Sequence, residues 1–235
     1  GTYVSKDMTL GTYAAMMDRD LLGTFKTSSS DLSELTFSAM RTISDTDNSK
    51  WYAEATLQKS LGNNDQTGLV LTPMGTEMNM ILPYAMQPSD KATRLILGLN
   101  NSRKLSEKVS WTNQARFKKV LDEKEWSLGD QLELNSWVQY QYKSSLSVST
   151  RLKFVSQKDI SGSNPMIMAP VQTANPENYG GDELHIGFGA NYDLSSLTSK
   201  QDVVGVEVLF PIIQDKNGLQ METKHQIVLG FNRSF

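Results

Sequence analysis

The 235-residue sequence predicts an all-β fold, an antiparallel transmembrane β-barrel of the outer membrane, on three observations. Period-two alternation of apolar and polar side chains recurs along the chain, while helical periodicity is weak everywhere. Most alternating stretches are about ten residues or longer. Strands of globular proteins average about 5–6 residues, and a tilted membrane-spanning strand needs about 9–11. Long and short connections alternate almost throughout, as they do in outer-membrane barrels, where short periplasmic turns face longer external loops.

Ten strands are predicted, at 8–17, 32–43, 50–61, 92–100, 106–118, 130–143, 146–156, 182–193, 201–212 and 222–235, in a single domain spanning 1–235. The first, second and fourth rest on alternation and length alone. The third sets Glu54 and Gln58 opposite the face of Trp51, and the fifth gathers Gln114, Arg116 and Lys118 on its polar side. In the sixth, Leu132, Leu134, Val138, Tyr140 and Tyr142 oppose Glu133, Asn135, Trp137, Gln139 and Gln141. In the seventh, Leu146, Val148, Leu152 and Phe154 oppose Ser147, Ser149, Arg151 and Lys153. The eighth sets Leu184, Ile186, Phe188, Ala190 and Tyr192 against His185, Gly187, Gly189 and Asn191. The ninth carries Glu207 inward. The tenth carries Lys224 and Gln226 inward and Ile227, Leu229 and Phe231 outward. A soluble sandwich also alternates, with its apolar face inward.

Register follows from parity, because a one-residue slip would flip every side chain. Tyr142 faces Leu146 only if Lys143, Ser144 and Ser145 form the turn, which places Trp137 beside Arg151 and Asn135 beside Lys153. With short turns on the periplasmic side, Trp51, Tyr140, Tyr142, Tyr192 and Phe235 lie near the periplasmic strand ends on the apolar face. They form the expected aromatic girdle.

Composition narrows the function classes. No run approaches the ~18 apolar residues of a spanning helix. The sequence opens on "GTYVSKDMTL", so an export signal is expected to have been removed. Cysteine is absent, which excludes a disulfide scaffold and a thiolate metal site. The 23 basic and 26 acidic residues are mixed along the chain, with no basic stripe to attract nucleic acid.

Three stretches carry a resemblance. They are "LGDQLELNSWVQYQYKSSLSVSTRLKF", "NPMIMAPVQTANPENYGGDELHIGFGANYD" and "VEVLFPIIQDKNGLQMETKHQIVLGFNRSF". Their marks are the inward Glu133 and Asn135 with Trp137 two residues on, an Asn- and Pro-rich loop closing on Gly180-Gly181, and Pro211, Gln214, Gly218, Gln220 and Glu222 before a final aromatic. These resemble the outer-membrane channels known as phenol meta-pathway degradation-like transporters. "KDMTLGTYAAMM", "SSSDLSELTFSAM" and "LPYAMQ" resemble the family's preceding segments. Leu219 departs from the Pro of the pattern, and Arg233 from its aromatic. The resemblance implies a monomeric barrel of about twelve strands, with N-terminal strands ahead of this start, and passive uptake of small hydrophobic or aromatic molecules.

Motifs for chemistry are sparse. Of the two histidines, His225 shares the outward face and His185 the inward one, and no serine nearby carries a nucleophile signature. No catalytic residue and no enzymatic activity are expected. "GFGANY" lacks the third glycine and the following helix of a phosphate loop; glycine in a barrel strand marks a bend or a close approach. Met74, Met78, Met80 and Met86 fall in or beside the third connection, and Met166 and Met168 in the seventh. Thioethers can select Cu(I), form an adaptable apolar entrance, or simply pack the loops; the expected mouth is Met78, Met80, Met86, Met166 and Met168, without metal or cofactor.

The expected lumen lining is Glu54, Gln114, Arg116, Glu133, Asn135, Trp137, Gln139, Arg151, Lys153, His185, Glu207 and Gln226. Mixed charge there either cross-links the wall or selects solutes. The expectation is a bacterial outer-membrane channel for passive diffusion of small hydrophobic or aromatic solutes. Its partners are membrane lipid, lipopolysaccharide and the solute. The alternatives are a closed structural or partner-binding barrel, and a soluble ligand-carrying β-barrel.

Overall fold

The computed structural model describes residues 2–11, 24–71, 76–122, 124–167, 172–195, 201–220 and 222–234. Ten long strands follow one another in space as they do in sequence. They are β1 (Thr2–Gly11), β2 (Thr24–Asp45), β3 (Ser49–Ser60), β6 (Thr93–Lys104), β7 (Val109–Val120), β9 (Gln131–Lys143), β10 (Leu146–Gln157), β12 (Gly181–Asp193), β13 (Gln201–Lys216) and β14 (Gln226–Ser234). The connections contribute the hairpin β4 (Thr67–Leu71) and β5 (Glu77–Ile81), and the two-residue strands β8 (Trp126–Ser127) and β11 (Ser161–Gly162). Every neighbouring pair in the large sheet is antiparallel, and the sheet curls strongly into a half-barrel. Among the described residues the edge strands β1 and β14 do not pair with each other.

Alternating connections sort to opposite ends of the wall. Residues 46–48, 105–108, 144–145 and 194–200 join strands at one end; 61–92, 121–130, 158–180 and 217–225 join them at the other.

Sequence and structure differ at strand ends. The first strand runs Thr2–Gly11 rather than 8–17, and 12–17 lies outside the described residues. β2 begins at Thr24 rather than 32, because its polar start pairs with β1 along the backbone; Ser28 to Ser30 face Asp7 to Ser5. The predicted three-residue turn before Leu146 is a two-residue turn, Ser144–Ser145. A register shift at Leu146/Ser147 absorbs Tyr142 as the extra residue. A bulge of this kind restores the parity the turn length would break. Trp137 faces Arg151 and Asn135 faces Lys153, as the parity required. A second irregularity, at Leu184/His185, sets His185 against Pro211, and a bulge tolerates a residue without an N–H donor.

The faces are inverted relative to a globular protein. Buried side chains of the sheet are mostly polar: Thr56, Gln58, Asn100, Asn135, Ser147 and His185. The opposite face leaves Phe37, Leu97, Leu134, Val148, Phe188 and Phe231 exposed. The cluster of large buried apolar side chains lies instead in the connections, where Tyr84, Trp126, Ile160 and Ile167 pack together.

Candidate functional site

The concave face is assembled by register. Pairing sets Arg116 against Glu133, Gln114 against Asn135, and Lys153 against Asn135. A chain of charges then runs across the wall. Arg116 Nη2 lies 3.0 Å from Glu54 Oε1 and its Nη1 4.0 Å from Glu133 Oε1; Lys153 Nζ lies 3.6 Å from Glu133 Oε2. Glu54 and Arg116 belong to strands separated by β6, and both pair with its Gly98. A Cβ there would come 3.0 Å from Glu54 Oε2 and 3.4 Å from Arg116 Cγ, so the missing side chain lets the pair close over the strand.

The same device recurs. Arg151 crosses Gly187 of β12 to reach Glu207 of β13, with Nε 3.0 Å from Oε1. Its guanidinium also lies 5.3 Å from the centre of the Trp137 ring, within cation–π range. Towards the long-connection end, Glu183 accepts from Lys216 Nζ at 2.7 Å and lies 2.8 Å from His185 Nε2. Amides link the charged groups. Asn135 Nδ2 donates to Gln114 Oε1 at 3.1 Å and Glu133 Oε1 at 2.8 Å; Gln114 Nε2 donates to Asn100 Oδ1 at 2.7 Å. Gln139 Nε2 donates to Ser147 Oγ at 2.8 Å. Such a wall presents polar groups to water, with cations and anions compensating one another.

Part of the third connection closes on this face. Residues Leu82, Pro83, Tyr84 and Met86 through Asp90 are buried. Tyr84 stacks edge-on against Trp126 at 4.9 Å and Tyr179 at 5.9 Å. Asn164 N–H donates to Tyr84 Oη at 2.9 Å, and Ala85 N–H to Tyr179 Oη at 3.0 Å. Tyr179 Oη in turn donates to Thr173 O at 2.7 Å. Burial pushes the Tyr179 phenol up to about 12; the Ala85 N–H opposes the shift and neighbouring Tyr84 adds to it. At the end of the segment Asp90 accepts from Arg94 Nη1 at 3.1 Å, Leu128 N–H at 2.8 Å and Ala92 N–H at 3.1 Å. Burial alone would raise the Asp90 carboxyl, but Arg94 and the backbone donors outweigh it and hold it below the ordinary value. The groups along Ser33, Gln58, Tyr84, Arg94 and Lys118 enclose a cavity of about 280 Å³ between segment and wall.

The residues expected to line a lumen fall on one face of the sheet. Glu54, Gln114, Arg116, Glu133, Asn135, Trp137, Gln139, Arg151, Lys153, His185 and Glu207 share the concave face, and Gln226 joins them opposite Leu209 near the open edge. Tyr140, Tyr142 and Tyr192 are exposed on the convex face near the short-turn end. Trp51 lies on the same face, and Phe235 lies outside the described residues. The methionines are divided. Met78 and Met80 sit on the β4–β5 hairpin, Met78 and Met166 are exposed, and Met168 lies outside the described residues. Met86 is buried.

Tyr84, Trp126, Tyr179, Asp90, Arg94 and Gly98 are absent from the predicted set. "LPYAMQPSD", an aromatic bracketed by two prolines inside a long connection, is the signal that could have found the first. No protein-family model matches the chain, and no curated protein matches it.

Proposed function

We propose that the chain is the wall of a closed β-barrel in a bacterial outer membrane, passing small hydrophobic or aromatic solutes by passive diffusion. One observation carries the membrane part: the sheet turns most of its large apolar side chains outward and most of its polar ones inward. Leu229 is 78% exposed and Phe37 67%, whereas Asn135 and His185 are each 5% exposed. Soluble monomers rarely expose contiguous apolar patches beyond a few hundred Å², and every apolar Å² left in water forgoes about 25 cal/mol. Lipid removes that penalty, and an aqueous lumen accommodates the inner charges. The soluble ligand carrier fits poorly, since it would need this polarity reversed. The solute class rests on the resemblance of the sequence to the phenol-degradation channels.

The test is conductance. The refolded chain in a planar bilayer gives discrete channel steps, and liposomes holding it swell in small aromatic solutes. Silence in both assays sinks the channel. A chain that stays folded and monomeric in plain buffer sinks the membrane assignment. The buried Leu82 to Asp90 region favours a second reading, a barrel closed by its own connection. That barrel would insert into lipid without conducting.

A further inference from the structure

A groove of about 570 Å³ crosses the convex face from β3 to β12. Register builds it. Asn113 of β7 pairs with Ser136 of β9, and Ala115 with Leu134, so the small Ala115 and Ser136 leave a low floor between larger side chains. Trp51 and Trp111 stand at one end, and Phe154 and Leu184 at the other. Trp111 Nε1 donates to Ser136 Oγ at 2.9 Å, which fixes the indole across the floor.

The two ends differ in chemistry. Arg103 pairs with Trp111, beside the short turn at 105–108, and Trp51 lies close to the short turn at 46–48. Arg103 is exposed, and among the described residues no carboxylate lies within ion-pair distance of it. Phe154 and Leu184 pair with each other well up the wall, away from the turn at 144–145, and offer only hydrocarbon. A cation and two indoles at a rim, leading into an apolar trough, complement an anionic head and a hydrocarbon tail.

We propose that this groove holds one glycerophospholipid, its phosphate on Arg103 and one acyl chain along Leu134, Phe154 and Leu184. The assignment rests on the membrane reading above. It makes the short-turn end the side from which that leaflet's lipid is bound. Aromatic faces and a guanidinium are well suited to the task, since Arg offers a planar fork to phosphate oxygens.

Native mass spectrometry of the full chain in detergent, titrated with phosphatidylglycerol, tests it. One lipid per chain is retained at saturation. Arg103→Gln weakens retention about tenfold, the loss of a charge-assisted contact. Ser136→Phe fills the floor and abolishes retention, and diacylglycerol with the same chains binds the wild type no better than phosphatidylglycerol binds Arg103→Gln. Equal retention by the wild type and Arg103→Gln overturns the proposal, as does a lipid-free dimer that buries the groove. Solubility separates the two readings. A chain folded and monomeric without detergent fails the membrane assignment, whereas a detergent-requiring chain that retains no phospholipid fails the groove alone.

Discussion

Leu134 and Val148 are each 41% exposed on the same face of the sheet. In water, replacing either by arginine would cost about the same, within about 1 kcal/mol, because strand propensity and partial burial are all that change. In a membrane the two should differ. The outward row of β9 runs Leu132, Leu134, Ser136, Val138 and Tyr140 and is centred on Ser136. With a rise of about 3.3 Å per residue and a tilt of about 40°, Leu134 lies about 5 Å from that centre. Val148 pairs with Tyr140, in the girdle, at about 10 Å. Arginine on the lipid face costs about 2–4 kcal/mol at the midplane and about 0–1 near the interfaces. The expected losses are therefore about 3 kcal/mol for Leu134→Arg and about 1 or less for Val148→Arg. Gln139→Arg on the concave face should stay within about 1 kcal/mol, as a water-facing substitution does. Urea titration of the refolded protein in phospholipid vesicles, followed by tryptophan fluorescence, measures all three. If Leu134→Arg costs no more than Val148→Arg, depth has no influence and the membrane assignment falls.

Three more outcomes are expected. Asp90→Asn strands Arg94 beside a neutral partner, and breaking a buried pair costs about 3–5 kcal/mol. Limited proteolysis should then cut within 61–92 faster, and conductance should rise if that segment narrows the pore; unchanged cleavage would show that the Asp90–Arg94 pair does not hold the segment. Glu133→Gln removes the carboxylate between Arg116 and Lys153 while Glu54 stays on Arg116, so the bilayer reversal potential should shift towards anions. Tyr179 has its phenol raised to about 12, so its contribution is whole below the ordinary tyrosine value of 10.0 and lost as pH rises through about 12. Absorbance titration near 295 nm should show a late ionisation that Tyr179→Phe removes, and its persistence would refute the buried placement.

The wall was legible in the sequence because its signal has a short period. Alternation fixed the faces of β9, β10 and β12, and parity alone placed Trp137 beside Arg151. The loop core was not legible. Tyr84, Trp126 and Tyr179 come from three different connections, and no periodicity links residues that meet only after the strands have paired. The start of β2 was missed for a related reason: "TFKTSSSD" has little apolar content to alternate, and backbone pairing with β1 is what extends it. Met86 shared its composition signal with Met78, but burial separates them, and composition carries no direction.

The two glycine crossings bear on how such a wall keeps charge inside without filling itself. An arginine paired to its immediate neighbour holds two adjacent strands. Across Gly98 and Gly187 the arginine instead reaches the second strand over, so each ion pair ties three strands together. The missing Cβ lets both side chains lie along the wall rather than stand into the interior. An alanine at Gly98 would set its Cβ 3.0 Å from the Glu54 carboxylate and 3.2 Å from Glu54 Cβ. Either the pair would lengthen or Glu54 would lift away from the wall. Charge compensation and an open cross-section thus depend on the same two positions, where neither hydrophobic patterning nor charge counting would have sought them.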